Sequence, residues 1–285
     1  MIMRKQFPVL PLFLFFITVL TTLVAGALQR GEDVFHNPGR LIAGIPFSGA
    51  LMVILLSHEL AHYVVAKRHA VEVTLPFFMP APTFIGTFGA FIKMKSMIRS
   101  REALVDIGAS GPLAGFLVSL VVSVIGLRYS HVAELSRVSE ILSLGDSLLF
   151  SWLVRMSMGT VPAGSDVVLH PAAFAGWIGF FITSVNLIPV GQLDGGHIAY
   201  ALLGKKQKYL SISLTAMLVF LGVFVWFGWL LWAVILMVLG FRHPPMHEPE
   251  IRLDPKRRCI SSVCLIIFLI TFTPAPFVIE TPFFP

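Results

Sequence analysis

Charge is scarce in this chain: of its 285 residues only 13% are Asp, Glu, Lys or Arg, while 56% are hydrophobic. With a mean hydropathy of 0.85, that shortage excludes an ordinary soluble domain and is the composition of a polytopic membrane protein. Cysteine is nearly absent. Cys259 and Cys264 are the only two, and five apart they form neither a C-x-x-C metal pair nor a disulfide framework, so both are expected to be small packing residues. Internal repeats, low-complexity tracts and long soluble segments are also lacking, which leaves a single integral membrane domain over 1–285.

What is there is a series of apolar runs. In hydrocarbon every backbone N–H and C=O must be satisfied internally, and a helix needs about 20 apolar residues to cross. The runs Pro8 to Leu28, Leu41 to Ala66, Leu104 to Leu127, Ala172 to about Leu203, Leu210 to Leu239 and Ile260 to Thr273 therefore read as spans. The fifth, interrupted by Gly222 and Gly228, fits either one tilted helix or a hairpin of two short ones, giving six or seven helices. With the hairpin, 16 of the 21 basic residues fall on one side of the membrane, and only Arg30, Arg40, Arg128, Arg137 and Arg155 on the other. Basic residues accumulate in cytoplasmic loops, so the hairpin is the preferred reading and the N-terminus, with Arg4 and Lys5, is expected in the cytoplasm. The net charge of +6 is then an orientation signal and calls for no nucleic acid. Ala25-Gly26-Ala27 resembles a signal-peptide cleavage site, but an apolar run of about 20 residues exceeds a signal core of about 7–15, which favours an uncleaved anchor.

Inside the second run lies His58-Glu59-Leu60-Ala61-His62. Residues four apart share a helix face, so both imidazoles can present a ring nitrogen to one Zn²⁺ while Glu59 falls beside them. A carboxylate there can take a proton from a water that the metal has made nucleophilic near neutral pH. Ionisable groups at membrane depth are rare and usually functional.

A catalytic zinc keeps three protein ligands. Apart from Asp106, near a span end, the only other acid deep in a span is Asp194, within Asn186-Leu187-Ile188-Pro189-Val190-Gly191-Gln192-Leu193-Asp194-Gly195-Gly196-His197. His58 precedes Lys67 by nine residues and Asp194 precedes Lys205 by eleven. At about 1.5 Å per residue both lie roughly 13–17 Å from the same boundary and are expected to meet at one metal. His197, one turn beyond Asp194, is a rival ligand that more simply orients one. His36, His69, His131, His170, His243 and His247 fall in loops or near span ends, where solvation is expected.

With H-E-x-x-H on one span and Asn…Pro…Leu-Asp-Gly on a later one, the chain resembles the site-2 protease family of intramembrane zinc metalloproteases. The resemblance runs from about Gly44 to His197 and includes Phe88-Gly89-Ala90 and Gly111-Pro112. It implies an all-α polytopic fold with a catalytic core at about 41–203, one zinc per chain held by His58, His62 and Asp194, Glu59 as general base and acid, and Asn186 holding the scissile peptide or its oxyanion. It implies transmembrane protein substrates, hydrolysed within the bilayer. No PDZ or CBS module is present in this sequence, so regulation through them does not carry over.

From Glu72 to Ser96, Pro76, Pro80, Pro82, Gly86 and Gly89 argue against a continuous helix. Strands are expected within Thr83 to Met94, as a re-entrant segment whose edge, around Gly86, Phe88 and Gly89, guides an extended substrate. Gly111-Pro112-Leu113-Ala114-Gly115 is a G-x-x-x-G pattern suited to close helix contact, with Pro112 as a kink towards the site. Pro189 and Gly191 are the expected hinge that admits water or substrate. Ser130 to His170 suggests a helix at the outer interface, and Arg242-His243-Pro244-Pro245 a helix stop. A bacterial cell membrane is the expected location, with the active site towards its cytoplasmic half. A metal-ion transporter and a catalytically silent scaffold are the competing readings.

Overall fold

The computed structural model describes residues 9–134, 141–162, 164–241 and 253–280. The basic residues Arg4, Lys5, Arg137, Arg242 and Arg252, the histidines His243 and His247, and the helix stop at Pro244-Pro245 lie outside them.

The described chain is mostly helical. Helix α1 (Val9–Gln29) is followed by a 3₁₀ turn (Pro38–Gly44) and α2 (Ile45–Arg68), which ends on Lys67 and Arg68, favourably placed at the negative end of its dipole. A hairpin of β1 (Phe77–Pro80) and β2 (Thr87–Phe91) comes next, with Phe77 opposite Phe91 and an irregularity between Phe78 and Pro80. Helix α3 (Arg101–Leu127) starts at Ser100, whose side chain accepts the Ala103 N–H, and carries Pro112 in its interior. Then follow β3 (His131–Glu134), β4 (Ile141–Leu144), α4 (Leu148–Met158), β5 (Ser165–Val168), α5 (Pro171–Asn186) and α6 (Asp194–Leu203). The chain continues through α7 (Gln207–Phe224), α8 (Gly228–Leu239), α9 (Pro255–Thr271) and β6 (Phe277–Glu280).

Four stretches among the described residues are long and apolar enough to cross a membrane: Val9–Gln29, Pro38–Arg68, Arg101–Leu127 and Asp194–Phe224. The chain is thus a polytopic membrane protein in its coarse architecture. The run from Leu210 to Leu239 is a hairpin, broken at Val225–Phe227 between α7 and α8, as the basic loops favour.

Two expectations are corrected. The run Ala172 to Leu203 is not one helix: α5 ends at Asn186 and α6 begins at Asp194, because Pro189 has no N–H to continue the ladder. The fold is also less purely helical than expected. Of the β1–β2 hairpin only β2 falls within the expected Thr83 to Met94, with β1 preceding it; in addition β3 pairs with β5 and β4 with β6, each antiparallel, so the helix expected across Ser130 to His170 is confined to α4. These strands are four residues long and pair with distant segments, too short for an alternation pattern to mark them. Within α4, Leu148, Trp152 and Met156 form one exposed apolar stripe, suited to lipid contact.

The centre of the molecule is α2, α3 and α5. Phe47 and Leu51 of α2, Leu127 of α3, and Trp177, Ile178 and Phe180 of α5 are all essentially inaccessible. Ser119 and Ser123 of α3 face Gly179 and Gly176 of α5, where a β-carbon would come within 2.1 and 2.2 Å of the hydroxyls. Such small-residue contact brings two apolar helices together where no hydrophobic effect separates helix from lipid. It also carries the end of α5, and with it Asn186, to the face of α2 that bears the histidines.

Candidate metal centre

His58, Glu59 and His62 sit in the interior of α2 and are each about 5% exposed or less. The α-helical spacing turns both imidazoles to one side, with ring centroids 4.8 Å apart. Asp194, the first residue of α6, reaches the same point: its Oδ2 is 3.2 Å from His58 Nε2 and 3.2 Å from His62 Nε2, and the two Nε2 atoms are 3.1 Å apart. Three ligand atoms thus lie within 4.8 Å of one another, the one such cluster of metal-ligating side chains among the described residues. The meeting of His58 and Asp194 expected from their equal depth is found.

Helix α3 decides how the imidazoles sit. The Ile107 carbonyl lies 2.8 Å from His62 Nδ1; a carbonyl only accepts, so Nδ1 carries the proton and Nε2 presents a lone pair to the cluster. Ser110 Oγ donates to the same carbonyl at 2.8 Å and is 3.5 Å from His62 Nδ1. A β-carbon on Gly111 would lie 2.0 Å from His62 Nε2, and one on Gly115 would lie 3.0 Å from His58 Nδ1. The G-x-x-x-G pattern does bring helices close, and what it admits is the histidine pair itself.

The donor set fits zinc. Two imidazole nitrogens and one carboxylate oxygen converge on a point from which water is largely excluded, a three-ligand set of the kind that leaves an open position. Electron-rich atoms at such spacing are favourably held together by a cation, and an imidazole whose other nitrogen is bonded to a carbonyl is a ligand with fixed tautomer and orientation.

Around this cluster, Asn186, the last residue of α5, places Nδ2 3.4 Å from His58 Nε2. Glu59 lies in the field of His58, His62 and Asp194, and the backbone N–H of Ile92, one residue past β2, is directed at its carboxylate. His197 is buried with its Cβ against Gly108 of α3 and lies outside the three-ligand cluster. Of the β1–β2 residues, Phe88 projects outward, 70% exposed, whereas Gly89 is buried, with space beside it for a β-carbon. Gly86 instead packs against α1, its carbonyl accepting from Thr21 Oγ1 at 2.6 Å. Pro112 lies inside α3, which is continuous through it, one residue after Gly111, and Pro189 lies in the turn between Asn186 and Asp194.

Three features go beyond what the sequence analysis singles out. The Ile107 carbonyl carries no side-chain signal at all. Gln207 and Ser211, an amide and a hydroxyl four apart at the start of α7, are a visible signal; both are fully buried beside the Pro189 turn. His69 is not simply solvated: its Nε2 is 3.0 Å from Asp106 Oδ2, and Asp106 also receives Arg257 Nε and Nη2 at 3.0 and 2.7 Å. Arg257 further bonds Asp254, the N-cap of α9, and holds that carboxyl below the usual carboxylate range. Cys264 is buried as expected, but Cys259 is exposed.

Residues 46–228 match Peptidase family M50. Probable zinc metalloprotease EGY2, chloroplastic, of Arabidopsis thaliana is 30% identical over 278 residues, 95% of this chain and 48% of that protein. The EGY2 of Oryza sativa subsp. indica is 31% identical over 269 residues, 92% of this chain and 49% of that protein. Probable zinc metalloprotease EGY1, chloroplastic, of Arabidopsis thaliana is 32% identical over 241 residues, 81% of this chain and 43% of that protein. The chain therefore spans about half the length of these relatives or less. Their names place them in chloroplasts, which lends no support to a bacterial cell membrane. With the family match covering well over half of its length and the H-E-x-x-H and Leu-Asp-Gly segments meeting in space, this chain belongs to peptidase family M50, of the site-2 protease type.

Proposed function

We propose that the protein is an intramembrane zinc endopeptidase that hydrolyses peptide bonds in transmembrane segments of other membrane proteins. The observation that carries this reading is the convergence of His58, His62 and Asp194 within α2 and α6, with Glu59 beside them inside a helix long and apolar enough to cross a membrane. Those three residues hold one zinc, which when bound supplies Lewis-acid chemistry and renders a water nucleophilic near neutral pH. Glu59 accepts the proton of the attacking water and later delivers one to the leaving amine. Asn186, with its amide beside His58, steadies the scissile carbonyl as negative charge develops on its oxygen. A metal-ion transporter is not favoured, since family membership and a fixed, asymmetric ligand set both favour hydrolysis.

A substrate helix hides its peptide bonds in its own hydrogen bonds and must unwind before it can be cut. The β1–β2 hairpin, whose far end directs Ile92 at Glu59, offers an extended substrate a strand edge, with Phe88 on its exposed part and Gly89 beside it leaving room for a substrate backbone. Counting α1, α2, α3, the α5–α6 pair, α7, α8 and α9 gives the seven units of the arrangement we favour, or six with the α7–α8 hairpin taken as one, all within one catalytic domain. The basic loops at the α2 end, the β2–α3 junction, the α6–α7 turn and the start of α9 then lie on the cytoplasmic face or its equivalent, with the N-terminus on the same side.

Reconstitution in liposomes with a single-span reporter tests the reading. Wild-type protein is expected to release a fragment cut within the reporter's span, and Glu59→Gln protein to bind zinc yet leave the reporter whole. Equal cutting by both overturns it.

A further inference from the structure

The seven residues between α5 and α6 carry a site residue at each end. Asn186 precedes them and Asp194 follows, and both come to His58 Nε2, at 3.4 and 3.2 Å. The shape of this turn therefore sets where the carboxylate and the amide stand relative to each other. Its own hydrogen bonds are few: Val190 N–H donates to Ile188 O at 2.7 Å across Pro189, and Leu193 N–H donates to Val190 O at 3.2 Å. Pro189 has no N–H to contribute. The Gly191 N–H, three residues before Asp194, turns outward to α7 and donates to Ser211 Oγ at 3.3 Å.

Ser211 Oγ is a meeting point. It accepts from Gln207 Nε2 at 2.8 Å as well as from Gly191, and it faces Pro189 O at 3.5 Å as donor. One donor and two acceptor positions exhaust what a hydroxyl has. Gln207 and Ser211 are 1% and 0% exposed, one turn apart on α7, where an amide and a hydroxyl are costly unless bonded. On the opposite side the turn is closed by the end of α8: Gly191 has φ +55°, and a β-carbon there would lie 2.5 Å from Gly240 O.

We infer that Gln207 and Ser211 form a polar clasp on α7 that fixes the Pro189–Gly191 turn and thereby positions Asp194 and Asn186 around the metal site. They are positioning residues and touch neither metal nor substrate. The inference rests on the zinc-peptidase reading for its consequence, but its physical content is the rigidity of the turn. The expected hinge at Pro189 and Gly191 is, on this account, a held segment whose freedom α7 controls.

The test compares wild-type protein with Ser211→Ala, Ser211→Thr, Gln207→Met and the Ser211→Ala/Gln207→Met double variant, all purified in detergent. Hydrogen exchange across residues 187–193 is followed in metal-free protein, and zinc release to a chelator in the loaded protein. Ser211→Ala and Gln207→Met are expected to speed exchange of the turn amides and to speed zinc release by about 10–100-fold, while exchange in α2 and α3 stays unchanged. Ser211→Thr, which keeps the hydroxyl, is expected to stay near wild type. The double variant is expected to be little worse than Ser211→Ala, since Gln207 acts through Ser211. Unchanged turn exchange in Ser211→Ala overturns the inference. So does faster exchange spread evenly over α2, α3 and α5, which would make the pair a general stabilising contact. If wild-type protein holds no zinc, the peptidase reading fails, and exchange in the metal-free turn still decides the clasp.

Discussion

Gly111 and His62 are in direct register across the α2–α3 contact: a β-carbon on the glycine would stand 2.0 Å from Nε2, the nitrogen that points into the metal centre. Four residues on, Gly115 bears on His58 in the same way at 3.0 Å. The face of α3 that looks like a helix-packing motif is the wall of the candidate metal centre.

Gly111→Ala is therefore expected to displace the His62 ring and weaken zinc binding by at least the roughly 10–100-fold typical when a ligand's support is disturbed. Gly115→Ala needs a shift of only a few tenths of an ångström and is expected to be milder. Zinc per chain after dialysis, measured by elemental analysis on both variants, checks the ranking; equal retention by the two would remove the distinction between the sites.

Glu59→Gln and Asp194→Ala are expected to separate chemistry from metal binding. The first retains about one zinc per chain and loses cleavage by about 10²–10⁴-fold, the range for a general acid–base group. The second loses the metal as well as the activity. Chelation of wild-type protein is expected to abolish cleavage and added zinc to restore it. Metal content and reporter cleavage on the same preparations decide; an Asp194→Ala protein that keeps its zinc tightly would displace this carboxylate from the ligand set.

Arg257 ties α9 to α3 through two bonds to Asp106, which also meets His69 just past the end of α2. Removing the guanidinium leaves a largely shielded carboxylate with one partner fewer, a loss that exceeds that of an exposed pair. Arg257→Ala is expected to lower the thermal midpoint by a few degrees, and Arg257→Lys, which cannot form the two-pronged contact, to recover only part of it. A midpoint identical to wild type in Arg257→Ala would show the network to be energetically silent.

The two cysteines report topology. Cys259 is exposed beside Lys256, Arg257 and Arg258, whereas Cys264 is buried against α3 and α6 neighbours. A membrane-impermeant thiol reagent is expected to label Cys259 from the basic-loop side in sealed vesicles and to leave Cys264 unmodified until the protein unfolds. Labelling from the opposite side would reverse the orientation proposed above.

Much of the site is legible in the amino-acid sequence. Periodicity places His58 and His62 on one face of a helix, and counting back from Lys67 and Lys205 puts Asp194 at their depth; both hold in space. The hairpin of α7 and α8 follows from Gly222, Gly228 and the side on which the basic loops then fall. The break between Asn186 and Asp194 is marked by Pro189, although a single proline points equally to a local loosening within one span. The strand pairs β3–β5 and β4–β6 leave no usable pattern, being short and joined to partners far along the chain.

From the order of residues alone come the class of molecule, the candidate metal-ligating residues and the expectation that they meet at one level, because hydropathy, helical spacing and helix-breaking residues act locally. Helix packing sets which nitrogen of His62 faces the candidate metal centre, makes Gly111 and Gly115 the wall behind the histidines, and brings Gln207 and Ser211 against the turn before Asp194. Those are contacts between helices, set by how closely two backbones approach. A carbonyl such as that of Ile107 becomes a functional group only when the neighbouring helix brings an imidazole within 2.8 Å of it.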